Sequence, residues 1–257
     1  MGNALIVQNL SKQFRRYHPD RPWTLQEALL QGLRRMRPAE YFWALHEVSF
    51  SIAYGRMVGV IGPNGAGKST LLRLIGGVGR PDKGTIRVHG QIGALLDLST
   101  GFHAELTGRE NVFVSGVIAG LTRREVAQRF DAIVAFAELE EFIDSPLRTY
   151  STGMQMRLGF AIAAHVEPEL LLIDEVLSVG DLSFQRKSFE RIAEFKAKGC
   201  TIVVISHDTS CIRELCDEAI WLQAGRLRAH GSAAEVVDQY VTETEMGQDT
   251  LHSEIEK

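Results

Sequence analysis

Short apolar runs alternate along the chain with stretches in which apolar residues recur every three or four positions. The runs ALIV (4–7), MVGVI (57–61), LLLI (170–173), TIVVI (201–205) and AIWL (219–222) read as strands. LLLI and TIVVI are apolar at every position, the pattern of strands covered on both faces. Helical periodicity appears near 69–76, 110–118, 123–138, 153–165, 184–197, 209–216 and 233–241. Three of these open on a capping-box pattern, Thr107 with Glu110, Thr122 with Glu125 and Ser232 with Glu235. Strands alternating with helices predict an α/β fold around a mostly parallel core sheet flanked by helices.

Two regions interrupt that alternation. From about 98 to 166 the pattern is helical with few strand signals, which predicts a helical subdomain set into the α/β core. Residues 15–43 form a second insertion between the first two strands. Within it Leu25, Leu29, Leu33 and Met36 share one helical face, and Arg34, Arg35 and Arg37 fall in the last turn, where cations suit the helix dipole. This basic, amphipathic helix either faces a membrane or membrane protein, or packs its stripe on the core. The last residues, 243–257, are polar and read as a frayed tail.

The stretch VGVIGPNGAGKST (58–70) changes the picture from fold to chemistry. Gly62, Pro63, Asn64, Gly65, Ala66, Gly67, Lys68 and Ser69 fit G-x-x-x-x-G-K-[ST], and Thr70 follows. The motif leaves an apolar strand and enters a helix, the context that makes it a phosphate loop. Glycines let backbone N–H groups approach phosphates, and the helix start adds partial positive charge. Lys68 is assigned to the β- and γ-phosphates and Ser69 to Mg²⁺. LLLIDE supplies the complement. Asp174 ends an apolar strand and suits Mg²⁺ through its water shell, and Glu175 follows as the group that orients or deprotonates an attacking water.

Composition sets limits. The 257 residues are 45% hydrophobic and 23% charged, as in an ordinary globular protein, and no apolar run approaches the ~18 residues of a membrane span. The N-terminus lacks a secretory signal pattern, so a cytoplasmic chain is expected. Cys200, Cys211 and Cys216 lack metal-ligand spacing and read as reduced structural thiols. The net charge of −4 hides an asymmetry, since residues 1–40 carry +4 and the remainder −8.

Further motifs carry a family resemblance. TYSTGMQMRL (149–158) resembles the signature of ABC ATPases, LSVGD (177–181) resembles their D-loop, and ISHD places His207 at their switch histidine. The resemblance covers about 1–242. It implies a P-loop NTPase of the ABC ATPase type, with an antiparallel β subdomain beside the parallel core and the helical subdomain. Ser151, Thr152, Gly153 and Met154 would cap the γ-phosphate held by a second copy in a head-to-tail dimer, and Asp181 would lie at that interface. Thr152 and Met154 depart from the family's usual glycine and glutamine. The Q-loop glutamine is missing as well, and Asp97, or its neighbour Leu98, occupies its place near Mg²⁺. Phe14 and Tyr17 are the candidates to stack on adenine.

GALLDLSTGFHAELTGREN (93–111), the signature region and CDEAIWLQAGR (216–226) are similar to ATPase subunits of bacterial polysaccharide exporters. FWALHEVSFSI and the insertion before it favour the O-antigen and teichoic acid branch. The 21 arginines against 7 lysines lean toward a Gram-negative lipopolysaccharide system. The resemblance implies ATP hydrolysis that powers export of a lipid-linked polysaccharide, O-antigen foremost, with teichoic acid or capsular polysaccharide as alternatives. The ATPase of another ABC transporter class, a soluble ABC protein or a regulator without turnover are further rivals. The implied partners are a transmembrane permease and a second ATPase subunit, with peripheral contact at the cytoplasmic face of the inner membrane and no nucleic acid. The chain ends about fifteen residues past its last predicted helix, so a C-terminal sugar-binding domain is not expected.

Overall fold

A computed structural model of the chain describes residues 2–16, 40–95, 101–174 and 181–255, with side chains through 246. Two sheets organise it. Strands β1 (Asn3–Arg16), β2 (Glu40–Ala53) and β4 (Lys83–Val88) form an antiparallel sheet in the order β2-β1-β4. Strands β3 (Met57–Ile61), β5 (Ile92–Leu95), β6 (Leu170–Asp174), β7 (Thr201–Ile205), β8 (Glu218–Gln223) and β9 (Arg226–Ser232) form the second, in the order β5-β6-β7-β3-β8-β9. Its pairs are parallel except β8 with β9.

β3 and β7 are buried at every position because both faces of this sheet are covered. Val58, Val60, Leu170, Leu172, Val203 and Ile205 face one layer, which joins the antiparallel sheet to helix α1 (Lys68–Ile75) through Leu71 and Leu72. Their neighbours Met57, Ile61, Leu171, Ile173, Ile202 and Val204 face the other. That layer holds helices α5 (Leu182–Ala197), α6 (Thr209–Leu215) and α7 (Ala233–Ile255), with the C-terminal end of α4 (Thr152–Ala163). Cutting a fully buried residue such as Leu172 to alanine would cost about 2–5 kcal/mol.

Helices α2 (Gly108–Ile118) and α3 (Arg123–Ala137) pack with α4 around a separate apolar cluster that includes Val112, Ile133 and Leu158. This is the helical subdomain read from the sequence. The capping boxes at Thr107 and Thr122 both form. At the third, Ser232 is paired with Glu218 at the end of β9, and α7 begins at the next residue.

Two boundaries differ from expectation. β1 and β2 pair as far as Arg16 opposite Glu40, so residues 15–16 and 40–43 belong to the hairpin and not to an insertion. Helix α7 runs to Ile255, through the stretch expected to fray. The proposed helix at 23–37 lies outside the described residues. Among the described residues no helix is long and apolar enough to cross a membrane.

Candidate nucleotide-binding site

Three neighbouring parallel strands bring the motif residues to one edge of the sheet. In register, Val60 of β3, Ile205 of β7 and Asp174 of β6 form one row, with strands about 4.8 Å apart. The phosphate loop leaves β3 two residues past that row, and His207, exposed, follows β7 by the same step. An open α/β sheet binds ligands at this carboxyl edge.

The loop's shape is dictated by glycine. Gly62, Gly65 and Gly67 have φ of +143°, +77° and +103°, where side-chain-bearing residues are strained. A Cβ on Gly62 would sit 2.1 Å from the Leu222 carbonyl oxygen, and one on Gly67 would sit 2.4 Å from that of Ala44. The backbone N–H of Gly225, in the β8–β9 turn, donates to Ala66 at 3.1 Å, and that of His46 donates to Gly225 at 2.7 Å. The underside of the loop is therefore clamped against β2 and the β8–β9 turn. A Cβ on Gly65 would meet nothing within 4 Å, and Pro63, Asn64 and Gly65 are exposed. That rim is open and leaves room for a ligand above the loop.

Lys68 is buried, and its ammonium donates to the carbonyls of Gly62 at 2.7 Å and Pro63 at 3.1 Å. These bonds hold its charge inside the arc of the loop. Gly67 caps α1 with no side chain, which leaves the first-turn N–H groups of the helix for an anion. Ser69 is exposed in that turn and Thr70 is half-buried. Mg²⁺ asks for few protein donors beside phosphate oxygens and water, and one hydroxyl with one carboxylate, Ser69 and Asp174, fits that demand. Glu175, Asp97 and Tyr17 lie outside the described residues.

Phe14 sits on β1 opposite Phe42 of β2, with ring centroids 6.0 Å apart, and both rings are about half exposed. Phe42 is two residues from Ala44, the residue that touches the phosphate loop. The sequence reading passed over Phe42. The signal available was the aromatic pair in FWAL, four residues after a proline.

The signature residues start a helix. Ser151 caps α4, and its hydroxyl accepts the Met154 N–H at 3.2 Å. Ser151 and Thr152 are exposed, and a Cβ on Gly153 would touch only the Ser151 hydroxyl, at 3.9 Å. Asp181 also has a local role, at the start of α5. Its carboxylate caps α5, accepting the N–H groups of Phe184 and Ser183 at 2.9 and 3.0 Å and the Ser183 hydroxyl at 2.7 Å. The Phe184 N–H above all, with Ser183 and the nearby Arg157 cation, holds its pKa below the usual aspartate value.

The thiols are structural in character. Burial pushes the Cys200 thiol up to about 11 and the Cys216 thiol up to about 12, and raises that of Cys211.

A clamped phosphate loop, a buried lysine within it and a carboxylate two strands away define a phosphate-loop nucleotide-binding ATPase. The chain belongs to the ABC transporter family, whose model, described as ABC transporter, matches residues 45–178. It is 46% identical over 242 residues to the O-antigen export system ATP-binding protein RfbB of Myxococcus xanthus, covering 93% of this chain and 55% of that one. It is 46% identical over 224 residues to the O-antigen export system ATP-binding protein RfbB of Klebsiella pneumoniae, covering 87% of each. The fold is similar to that of a dimeric, post-hydrolysis ATP-binding cassette bound to ADP and Pi. There the TM-score is 0.70 at 22% identity, over 89% of this chain and 98% of the other.

Proposed function

We propose that this chain hydrolyses ATP to drive export of a lipid-linked polysaccharide, O-antigen foremost, through a separate transmembrane subunit. The observation that carries this reading is the 46% identity, over 87% of both chains, to the Klebsiella O-antigen export protein. The chain works at the cytoplasmic face of the inner membrane as a head-to-tail pair. Each ATP lies between the phosphate loop of one subunit and the Ser151–Met154 turn of the other. The exposed start of α4 supports this, since its N–H groups and the Ser151 hydroxyl suit a γ-phosphate.

Within one subunit, Lys68 binds the β- and γ-phosphates, Phe14 with Phe42 stacks on the base, and Ser69 and Asp174 hold Mg²⁺. The metal neutralises phosphate charge. Glu175 positions the attacking water, and His207 contacts the γ-phosphate from the neighbouring strand end. The transmembrane subunit has a place to dock. A cavity of about 540 Å³ opens between α1, β5, α2 and α4, lined by Val78, Phe102, Ile118 and Ile162 among others. Ile118 and Val78 are 71% and 62% exposed there.

Cells whose only copy carries Lys68→Ala should lose surface polysaccharide and accumulate the lipid-linked polymer inside. Normal surface polymer in such cells would overturn the reading.

A further inference from the structure

Helix α5 starts at the Asp181 cap and lies against the far ends of the two longer helices of the helical subdomain. Phe184, one turn into α5, meets Phe160 of α4 at 5.9 Å and Phe136 of α3 at 5.8 Å, and the last two stack at 6.0 Å. One turn on, the Lys187 ammonium sits 4.7 Å from the Phe136 ring centre. It donates to the Phe136 carbonyl at 3.0 Å and to the Glu138 carboxylate at 3.2 Å. Glu138 ends α3 in the left-handed conformation and also pairs with Arg157 of α4 at 3.5 Å. Arg191, one further turn along, donates to the Ala164 carbonyl through Nε at 3.0 Å and Nη2 at 2.8 Å. Ala164 is the C-cap of α4.

Two cations four residues apart thus grip the carbonyl ends of α3 and α4. Carbonyls at helix C-termini lack intrahelical partners and carry partial negative charge, so each contact satisfies an acceptor and favours the dipole. The geometry makes this a pivot. The C-terminal part of α4, Phe160 and Ala164, belongs to the apolar layer of the central sheet, while Leu158 and Ala161 belong to the helical subdomain. The other end of α4, 13 residues from the Ala164 grip, is Ser151. That lever is about 20 Å long at 1.5 Å per residue. A tilt of about 10° at the grip would move Ser151 by about 3 Å, a whole hydrogen-bond length.

From this arrangement we infer that Lys187 and Arg191 are positioning residues for ATP hydrolysis. They fix the angle at which α4 presents Ser151 and Gly153, and tie it to the helix that begins at Asp181. Their contacts are with the ends of α3 and α4 and within α5, away from the phosphate loop, so they set turnover and not the affinity of a single subunit for ATP. The inference rests on the proposal that Ser151 serves the γ-phosphate of a second copy.

The test uses the full chain and compares wild type with Lys187→Met plus Arg191→Met, Lys187→Arg, and Ser151→Ala. The double variant should lose about tenfold or more in kcat, the scale of a misplacement far from the chemistry. Its Kd for a fluorescent ATP analogue at dilution, where subunits are separate, should stay within twofold, and Lys187→Arg should retain kcat. A double variant with wild-type kcat, or one whose nucleotide affinity falls in step with kcat, overturns the inference. If Ser151→Ala turns over normally, the head-to-tail reading fails with it. If Ser151→Ala is impaired and the double variant is not, only the positioning role fails.

Discussion

Asp174 lies directly opposite Ile205 in the parallel register of β6 and β7, so His207 emerges two residues past the row that holds the carboxylate. With Val60 of β3 completing that row, three strand ends deliver a lysine loop, a carboxylate and an imidazole to one edge of the sheet. No side chain has to reach far. The spacing of the strands does the positioning, and the sheet is rigid because both its faces are covered.

The glycines of the phosphate loop should separate by what lies beneath them. Gly62→Ala and Gly67→Ala drive a Cβ into backbone carbonyls at 2.1 and 2.4 Å and add strain at positive φ. Each should cost about 2–5 kcal/mol and lower Tm by many degrees. Gly65→Ala meets no atom and should cost about 1–2 kcal/mol while abolishing ATP binding, because its methyl points into phosphate space. Thermal melts with a nucleotide-binding titration check the pattern. Equal melting of all three variants would contradict it.

Replacing Glu175 by glutamine should cut turnover by about 10²–10⁴-fold and leave ATP binding intact. The variant should form an ATP-dependent dimer visible by light scattering. Near wild-type hydrolysis would remove Glu175 from its assigned role.

Asp181 gives a pH signature. Its hydrogen bonds depress the folded-state pKa below the ordinary value of 3.8, which the unfolded chain keeps. The cap's stabilisation is therefore complete above that ordinary value and is lost as pH falls through the lower folded-state one. Asp181→Ala should lower Tm at pH 7, with the gap to wild type closing below about pH 4. A gap of constant size across that range would exclude a charged cap. Glu110 and Glu125, depressed by their bonds to Thr107 and Thr122, should titrate in the same direction.

Changing Arg34, Arg35 and Arg37 together to glutamate should impair export and spare ATPase activity of the purified chain, if the basic helix read from the sequence faces the membrane or its partner. Surface-polymer blots beside a hydrolysis assay separate the two effects. Unchanged export would assign the stripe to packing alone.

Much of this was legible because buried parallel strands and phosphate loops leave strong local marks. MVGVI and LLLI are apolar throughout, and TIVVI after Thr201, since both faces are covered, and Thr107 and Thr122 announce their helices with a partner three residues on. β2, β4, β5 and β9 escaped because part of each lies exposed, so their apolar pattern is diluted. The Asp181 cap was legible as an acid before Leu182-Ser183. Lys187 and Arg191 were unreadable, since cations on a helix look solvated until the carbonyl ends they meet are known.

The ladder between β1 and β2 stays zipped out to Arg16 and Glu40. Whatever leaves at one of those residues must return at the other, a gap already closed by the stem. Doubling the length of such an excursion adds only about 0.6 kcal/mol of closure entropy. A change of length between those two residues should therefore leave the clamp beneath the phosphate loop as it is, because the stem alone holds Arg16 beside Glu40.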